Sequence, residues 1–403
     1  MIDQVARFLI RSTLLRNSRK TRITPSDLLS RLVGLALIKL IDEISRQQRQ
    51  EAKLHFSHPR DGIPIPPMQQ LHNTISTPPS RFLHERVNEM KAFATNKMRG
   101  RYTVYERLSK MIAPYVCGAE DVKMAICYAL ASQPDYPVHV LLIGEPATVK
   151  TDLLSEVQEI CSQDTVFGGP RSTVAGLTID AAKNSPGLFV LADQKILLID
   201  ELDKFGRSEL NQLYEALDSG RITVNISGRN EQIPTHFVCI SSANPNGQIL
   251  PRDPKLVRGQ IEKTIPPALM SRFHLVFLLT EERGERLDRA ISTILTRKNK
   301  QNQMSSFLKD YFSYIKKECK HVEYNFDRND RVIKKAAYLV KKAIEMSRNE
   351  KLQVAATKRL AESIRRISIS GARMRLSNSV EDVDIENALT ILKSALGTCG
   401  LRR

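Results

Sequence analysis

The chain has 403 residues, 41% of them hydrophobic and 26% charged, and a formal net charge of +17. This length suits two or three domains with ordinary buried cores, and no apolar run is long enough for a membrane-spanning helix. Six cysteines, Cys117, Cys127, Cys161, Cys239, Cys319 and Cys399, form no C-x-x-C pair and no His-containing metal spacing, so no disulfide scaffold and no zinc site are expected.

The opening MIDQVARFLIRS carries polar residues throughout, unlike a secretory signal, and predicts a cytoplasmic chain with no membrane partner. Residues 1 to 56 read as two helices. The second has Thr24 as a cap and Pro25 at the first helical position, and Leu28, Leu32, Leu35, Ile38 and Ile41 recur at three- and four-residue steps. Residues 57 to 80, rich in proline and turn formers, predict a linker or strap, and a third helical stretch spans about 81 to 112. Residues 1–105 therefore read as a helical N-terminal domain. In the next helix Val122, Ala125, Ile126 and Ala129 form one apolar face.

The mostly apolar run from Val138 to Ile143 predicts a buried strand that breaks at Gly144-Glu145-Pro146, before Lys150-Thr151 opens a helix carrying Leu153, Leu154 and Val157. That is the layout of a phosphate-binding loop. The backbone from Gly144 through Glu145, Pro146, Ala147, Thr148 and Val149 would wrap the phosphates of ATP. Lys150 would reach the β and γ phosphates, and the Thr151 hydroxyl would hold Mg²⁺. The general template has glycine before the lysine, where bulk would crowd the phosphate; this chain has Val149. The second motif is ILLIDELDK, residues 196 to 204. A core strand ending in adjacent acids is costly unless the carboxylates have work. Beside a phosphate loop, Asp200 suits the metal shell, and Glu201 can orient or deprotonate an attacking water.

Between these motifs, DAAKNS forms a short insertion. Residues 205 to 218 read as a helix, and SGRITVNISGRNEQI reads as a hairpin in which Ile222, Val224 and Ile226 alternate. The strand FVCISSANP ends at Asn244, and beyond residue 279 the pattern turns helical. The predicted fold class is thus α/β, with a P-loop nucleotide core over 106–280 and an α-helical C-terminal lid over 281–403. Counting residues gives about +7 for 1 to 60, about +13 for 283 to 403 and about −3 between them, so the basic surface belongs to the flanks and suits a polyanion such as DNA or RNA.

Together the segments APYVCGAEDVKMAICYAL, GEPATVKTDLL, VAGLT, FVLADQKILLIDELDKF, SSANPNG, PPALMSRF and SIRRISISGARMRL resemble the AAA+ module of the minichromosome maintenance (MCM) family, the hexameric replicative helicases of archaea and eukaryotes. The resemblance covers roughly residues 110 to 397 and is closest to a divergent, archaeal-type member with a truncated N-terminal region. It implies an ATPase acting on DNA, with a homo-oligomer or a family hexamer as its assembly. It also implies that Asn244 is the sensor that positions water or the γ-phosphate. Arg272 would be an arginine finger reaching into a neighbouring subunit's site, and Arg359 the second sensor arginine. Arg221 and Arg229 flank the hairpin position, here Ile226, at which the family places a DNA-contacting lysine.

Four departures from the family pattern bear on function: Val149, Ile226, the short DAAKNS insertion and the lack of a counterpart to the family's N-terminal oligonucleotide-binding barrel, with His274 standing where aspartate is usual. They leave open an alternative, a degenerate paralogue that binds nucleotide or DNA without unwinding. A further alternative is another AAA+ remodelling ATPase.

Overall fold

The computed structural model describes residues 80–145, 149–169, 174–180, 185–226, 229–245, 262, 265–279, 301–349 and 357–398. The expected helices of 1–56 and the linker lie outside them, as do Pro146, Ala147 and Thr148 and the 227–228 turn. Met1–Thr77 forms one unit of the chain, and the described residues all belong to the other, Pro78–Arg403.

The chain order begins with helix α1, Ser80–Thr95, a two-residue hairpin of β1, Lys97–Met98, and β2, Arg101–Tyr102, and helix α2, Val104–Met111. The single helical stretch expected over 81 to 112 is therefore broken. Arg99 and Gly100 both have positive φ, 51° and 77°, which turns the backbone back on itself between β1 and β2. The sequence boundary at residue 105 falls inside α2, and the core crosses it: Phe93 of α1 lies 4.9 Å from the Phe307 ring and 5.4 Å from the Tyr311 ring.

Helix α3, Glu120–Ala131, leads to β3, Val140–Gly144, and α4, Lys150–Ile160, follows. Then come β4, Thr165–Gly168, a helical turn at Val174–Leu177, and β5, Ile179–Asp180, paired antiparallel with β6, Ser185–Pro186. After a turn at Leu188–Leu191 and β7, Ile196–Ile199, helix α5 spans Arg207–Ser219. It ends at Gly220 in the left-handed conformation, φ 66°, which turns the chain directly into the hairpin of β8, Arg221–Ile226, and β9, Arg229–Pro234. Strand β10, Val238–Ala243, precedes β11, Leu275–Leu279. Four helices complete the described chain: α6, Gln301–Glu318; α7, Arg331–Asn349; α8, Thr357–Met374; and α9, Asp382–Thr398.

The central sheet is parallel, in the order β11-β3-β10-β7-β4. Alternate residues face opposite layers. Val140 and Leu142 join the core formed with α3, α4 and the C-terminal helices, whereas Leu141 and Ile143 join a second core with Leu210 and Leu213 of α5. Both faces are covered, which is why the strands read as unbroken apolar runs rather than alternating ones.

Two buried arginines lock the C-terminal helices onto this core. Arg373 donates to Cys319 O at 2.8 Å, Ile315 O at 3.3 Å and Ala131 O, capping the carboxyl ends of α6 and α3 together. Arg375 grips the fully buried Asp384 through Nε at 3.1 Å and a second nitrogen at 2.6 Å, and Tyr105 Oη donates to the same carboxylate at 2.5 Å. Asp384 thereby ties α2, α8 and α9 to one point. We predict that Arg373→Met destabilises the chain by about 3 kcal/mol, because buried carbonyls lose their donor. An unchanged urea-unfolding midpoint would contradict this capping role.

At the amino end of the sheet His139 is buried and His274 half-buried, and both are neutral. The His139 N–H donates to His274 Nδ1 at 3.0 Å, and the Cys239 N–H donates to His139 Nδ1 at 3.0 Å. Burial, with Arg366 nearby, pushes His139 down to about 3; burial, His139 and Arg366 push His274 well below its usual value. Both folded values are depressed below the unfolded value, so this contribution is complete above about pH 6.5. It is lost as pH falls towards the folded values, by about 1.4 kcal/mol per pH unit for each histidine. Unfolding at pH 7.5 and 5.5 should therefore show a steeper acid loss in the parent chain than in His139→Asn/His274→Asn.

Candidate functional site

Parallel strands end on one side of the sheet, and the polar residues that follow β3, β7 and β10 converge there. Gly144 closes β3, Asp200 follows β7, and Asn244 follows β10, while the registers place Ile143 beside Ala243 and Ile199 beside Ser241. Lys150 and Thr151 open α4 at the same edge.

Lys150 is buried and donates to the carbonyls of Gly144 at 3.0 Å and Glu145 at 2.7 Å, so its ammonium is drawn back onto the loop that precedes it. Burial lowers its pKa, while the negative charges of Asp200, Asp203 and Glu145 oppose that shift. An incoming phosphate would add negative charge that this buried cation favours. Val149 packs against the hydrophobic core, so its extra bulk is absorbed on the interior side.

The Thr151 hydroxyl donates to Asp200 Oδ2 at 3.2 Å. A hydroxyl and a carboxylate oxygen in contact, one opening α4 and the other following β7, are hard donors that fit a divalent cation. Asp200 is held from behind by Ser242, whose Oγ donates to its Oδ1, and the Glu201 N–H donates to that same Oδ1 and to Ser242 Oγ, both at 3.1 Å. Glu201 adopts the left-handed conformation, φ 55° and ψ 49°. For a residue with a Cβ this is a strained state that the surrounding bonds must hold, and it turns the chain sharply between the two acids. Asn244 is fixed in turn, because its N–H donates to Asp203 Oδ1 at 2.8 Å and Asp203 Oδ2 pairs with Lys204 at 3.3 Å.

The structure brings Lys150, Thr151, Asp200, Glu201 and Asn244 to one edge of the sheet. Ser242 and Asp203 join them through strand register, which the polar pair Ser241-Ser242 inside an apolar strand signals in the sequence.

Arg272 and Arg359 lie elsewhere. β11 runs parallel to β3 with Leu275 beside Val140 and Leu279 beside Gly144. Arg272 precedes β11, so it stands beyond the opposite end of the sheet, more than about 13 Å from the phosphate loop along the strand. There it pairs with Asp218 of α5 at 2.7 Å and stacks over the Tyr214 ring at 4.5 Å. Its Nε is buried with no hydrogen-bond partner among the described residues. Arg359, in the first turn of α8, donates to Ser271 O at 3.3 Å and to Ser271 Oγ, so the two arginines share one place. On the β8–β9 hairpin, Arg221 stands at the stem and donates to Gln232 at 3.1 Å, and Arg229 pairs with Ile226 beside the turn.

A parallel sheet with a lysine and a threonine opening the helix after β3 and paired acids at its carboxyl edge, covered by a C-terminal helical bundle, defines a P-loop nucleotide-binding module of the AAA+ class. Residues 91–299 match the MCM P-loop domain and residues 306–396 match the MCM AAA-lid domain, so the chain belongs to the MCM family. It is 28% identical over 320 residues to the DNA replication licensing factor MCM4 of Arabidopsis thaliana, covering 73% of this chain and 37% of that protein. It is 25% identical over 399 residues to DNA replication licensing factor MCM5 of the same plant, covering 91% and 53% respectively. With the probable DNA helicase MCM9 of Oryza sativa subsp. indica it shares 24% over 350 residues, 79% of this chain and 49% of that protein. The chain thus spans about half or less of the length of these relatives. A P-loop domain of this family implies nucleotide binding with a divalent cation. Among the described residues no helix is long and apolar enough to cross a membrane.

Ser242→Ala should loosen Asp200 and weaken metal-dependent nucleotide affinity by about tenfold, the usual cost of losing a group that orients a metal ligand. Titration of a fluorescent nucleotide with and without divalent cation checks this. Equal affinity in both proteins would contradict the arrangement.

Proposed function

We propose that the chain is an ATPase that acts on DNA in replication and builds each hydrolytic site from two adjacent subunits, as a homo-oligomer or within an MCM hexamer. The observation that carries this reading is the separation of Lys150, Asp200, Glu201 and Asn244 from Arg272 and Arg359 by the length of the sheet. One chain cannot bring its own arginines to its own phosphate loop, but two chains packed edge to edge can.

In this reading the loop from Gly144 to Val149 wraps the ATP phosphates and Lys150 neutralises them. Thr151 and Asp200 hold Mg²⁺, which when bound would offset charge on the phosphate oxygens. Glu201 takes the proton of the attacking water and Asn244 orients that water. Arg272 leaves Asp218 and Tyr214 to offset charge developing on a neighbour's γ-phosphate, with Arg359 beside it. Movement at the site would pass through α5 to the β8–β9 hairpin, where Arg221 and Arg229 would face DNA. The relatives named as replication licensing factors and as a probable DNA helicase support the assignment to DNA.

The test is DNA-stimulated ATP hydrolysis over a protein concentration series, with Glu201→Gln as the blank. Turnover per chain should rise with concentration, and Arg272→Ala should lower it by about 1000-fold. Turnover independent of concentration and untouched by Arg272→Ala would overturn the shared site.

A further inference from the structure

The nucleotide site does not account for the basic excess of the C-terminal third. Much of it stands on one outward stripe of α7. Arg331, Lys334, Lys335, Tyr338, Lys341 and Lys342 recur at three- and four-residue steps, and all are exposed. The other side of the helix, with Val332, Leu339, Val340 and Ala343, is buried in the core. Tyr338 stands among the cations with 67% of its surface exposed. Lys335 pairs with Glu386 at 2.9 Å, whereas among the described residues Lys334, Lys341 and Lys342 have no ion-pair partner. Clustered like charges cost a helix stability and return nothing to this fold.

A second element, more than two hundred residues earlier, adds to the same patch. The β1–β2 hairpin presents Lys97, Arg99 and Arg101, all exposed, and Met98 beside them is 68% exposed. Tyr102 at its base lies under Lys97 Nζ at 4.2 Å and under the Arg375 guanidinium at 4.7 Å, so the hairpin is mounted on the buried Arg375–Asp384 pair. Hairpin and helix are both attached to α9, the hairpin through Arg375 on Asp384 and α7 through Lys335 on Glu386. The Glu386 carboxyl is held below the usual range first by the Lys335 hydrogen bond, then by the charges of Lys335, Arg331 and Arg101. The apolar side of α7 is already occupied by the core, so the helix has no free apolar face to lay into a lipid surface.

We propose that the β1–β2 hairpin and the outward stripe of α7 form a second nucleic-acid contact, which grips the phosphates of single-stranded DNA and stacks Tyr338 on a base. Lysines on flexible stems follow a phosphate backbone, and an exposed aromatic among them recognises unstacked bases rather than duplex. This inference rests on the reading of the chain as DNA-acting and adds to it a surface outside the β8–β9 hairpin.

The test measures binding of a fluorescent oligothymidine by the full chain over a salt series. The variants are Lys334→Gln/Lys341→Gln/Lys342→Gln, Tyr338→Ala and Arg221→Ala, with binding of a fluorescent nucleotide as the check on folding. The triple variant should lower the magnitude of the log affinity against log salt slope by about 2, at about 0.7 per lost phosphate contact. Tyr338→Ala should lose about tenfold in affinity with little change of slope. Both should bind nucleotide as the parent does. If both bind the oligonucleotide like the parent while Arg221→Ala is weakened, the proposal fails and the DNA reading stands. If the parent shows no salt-sensitive binding, both fail. A preference for duplex that Tyr338→Ala leaves unchanged would overturn the single-strand assignment.

Discussion

Because all five strands of the central sheet run in the same direction, the sheet has two chemically different edges, and every residue following a strand is delivered to one of them. β3, β7 and β10 all end at the carboxyl edge, at Gly144, Ile199 and Ala243, so the loop before Lys150, the acids Asp200 and Glu201, and Asn244 meet there. Arg272 precedes β11 and is carried to the other edge by the same polarity. A strand has no way to bring both of its ends to one point. The hydrolytic chemistry proposed for this chain is therefore divided by backbone direction, and a second subunit is the natural way to reunite it.

The helical C-terminal segment is tied to this frame by a few buried polar contacts. Arg373 closes the carboxyl ends of α3 and α6 at once, and Asp384 gathers Tyr105 and Arg375 in an apolar setting where an unpartnered charge would be costly. These anchors fix α8, and with it Arg359 at Ser271 beside Arg272. The same Arg375 carries the basic β1–β2 hairpin through Tyr102. The rigid core thus sets the position of both the arginine pair and the basic outer patch.

Much of the site was legible because each of its residues sits at a junction that the sequence marks. An apolar run that stops at Gly144 or at Asp200 announces a strand end, and a lysine and threonine opening an amphipathic helix announce a phosphate loop. What was not legible depends on register and on contacts between distant elements. Ser242 supports Asp200 because Ser241 lies beside Ile199, and no local pattern encodes that pairing. Arg272 is paired by Asp218 and Tyr214, more than fifty residues away. The β1–β2 hairpin interrupts a helical pattern with Arg99-Gly100, a less familiar turn pair than Asn-Gly. Val149 looked too bulky for its place until the fold showed its side chain packed on the core.

The central claim is that the phosphate loop of one chain and the arginines of another make one site. It is tested most directly by mixing two variants, Lys150→Ala and Arg272→Ala, each deprived of one half. Neither should hydrolyse ATP alone, and an equimolar mixture should recover a measurable part of the parent turnover, because some interfaces then pair an intact loop with an intact arginine. If the mixture is as inactive as its components while the chains still assemble, the site is not shared and the account is wrong.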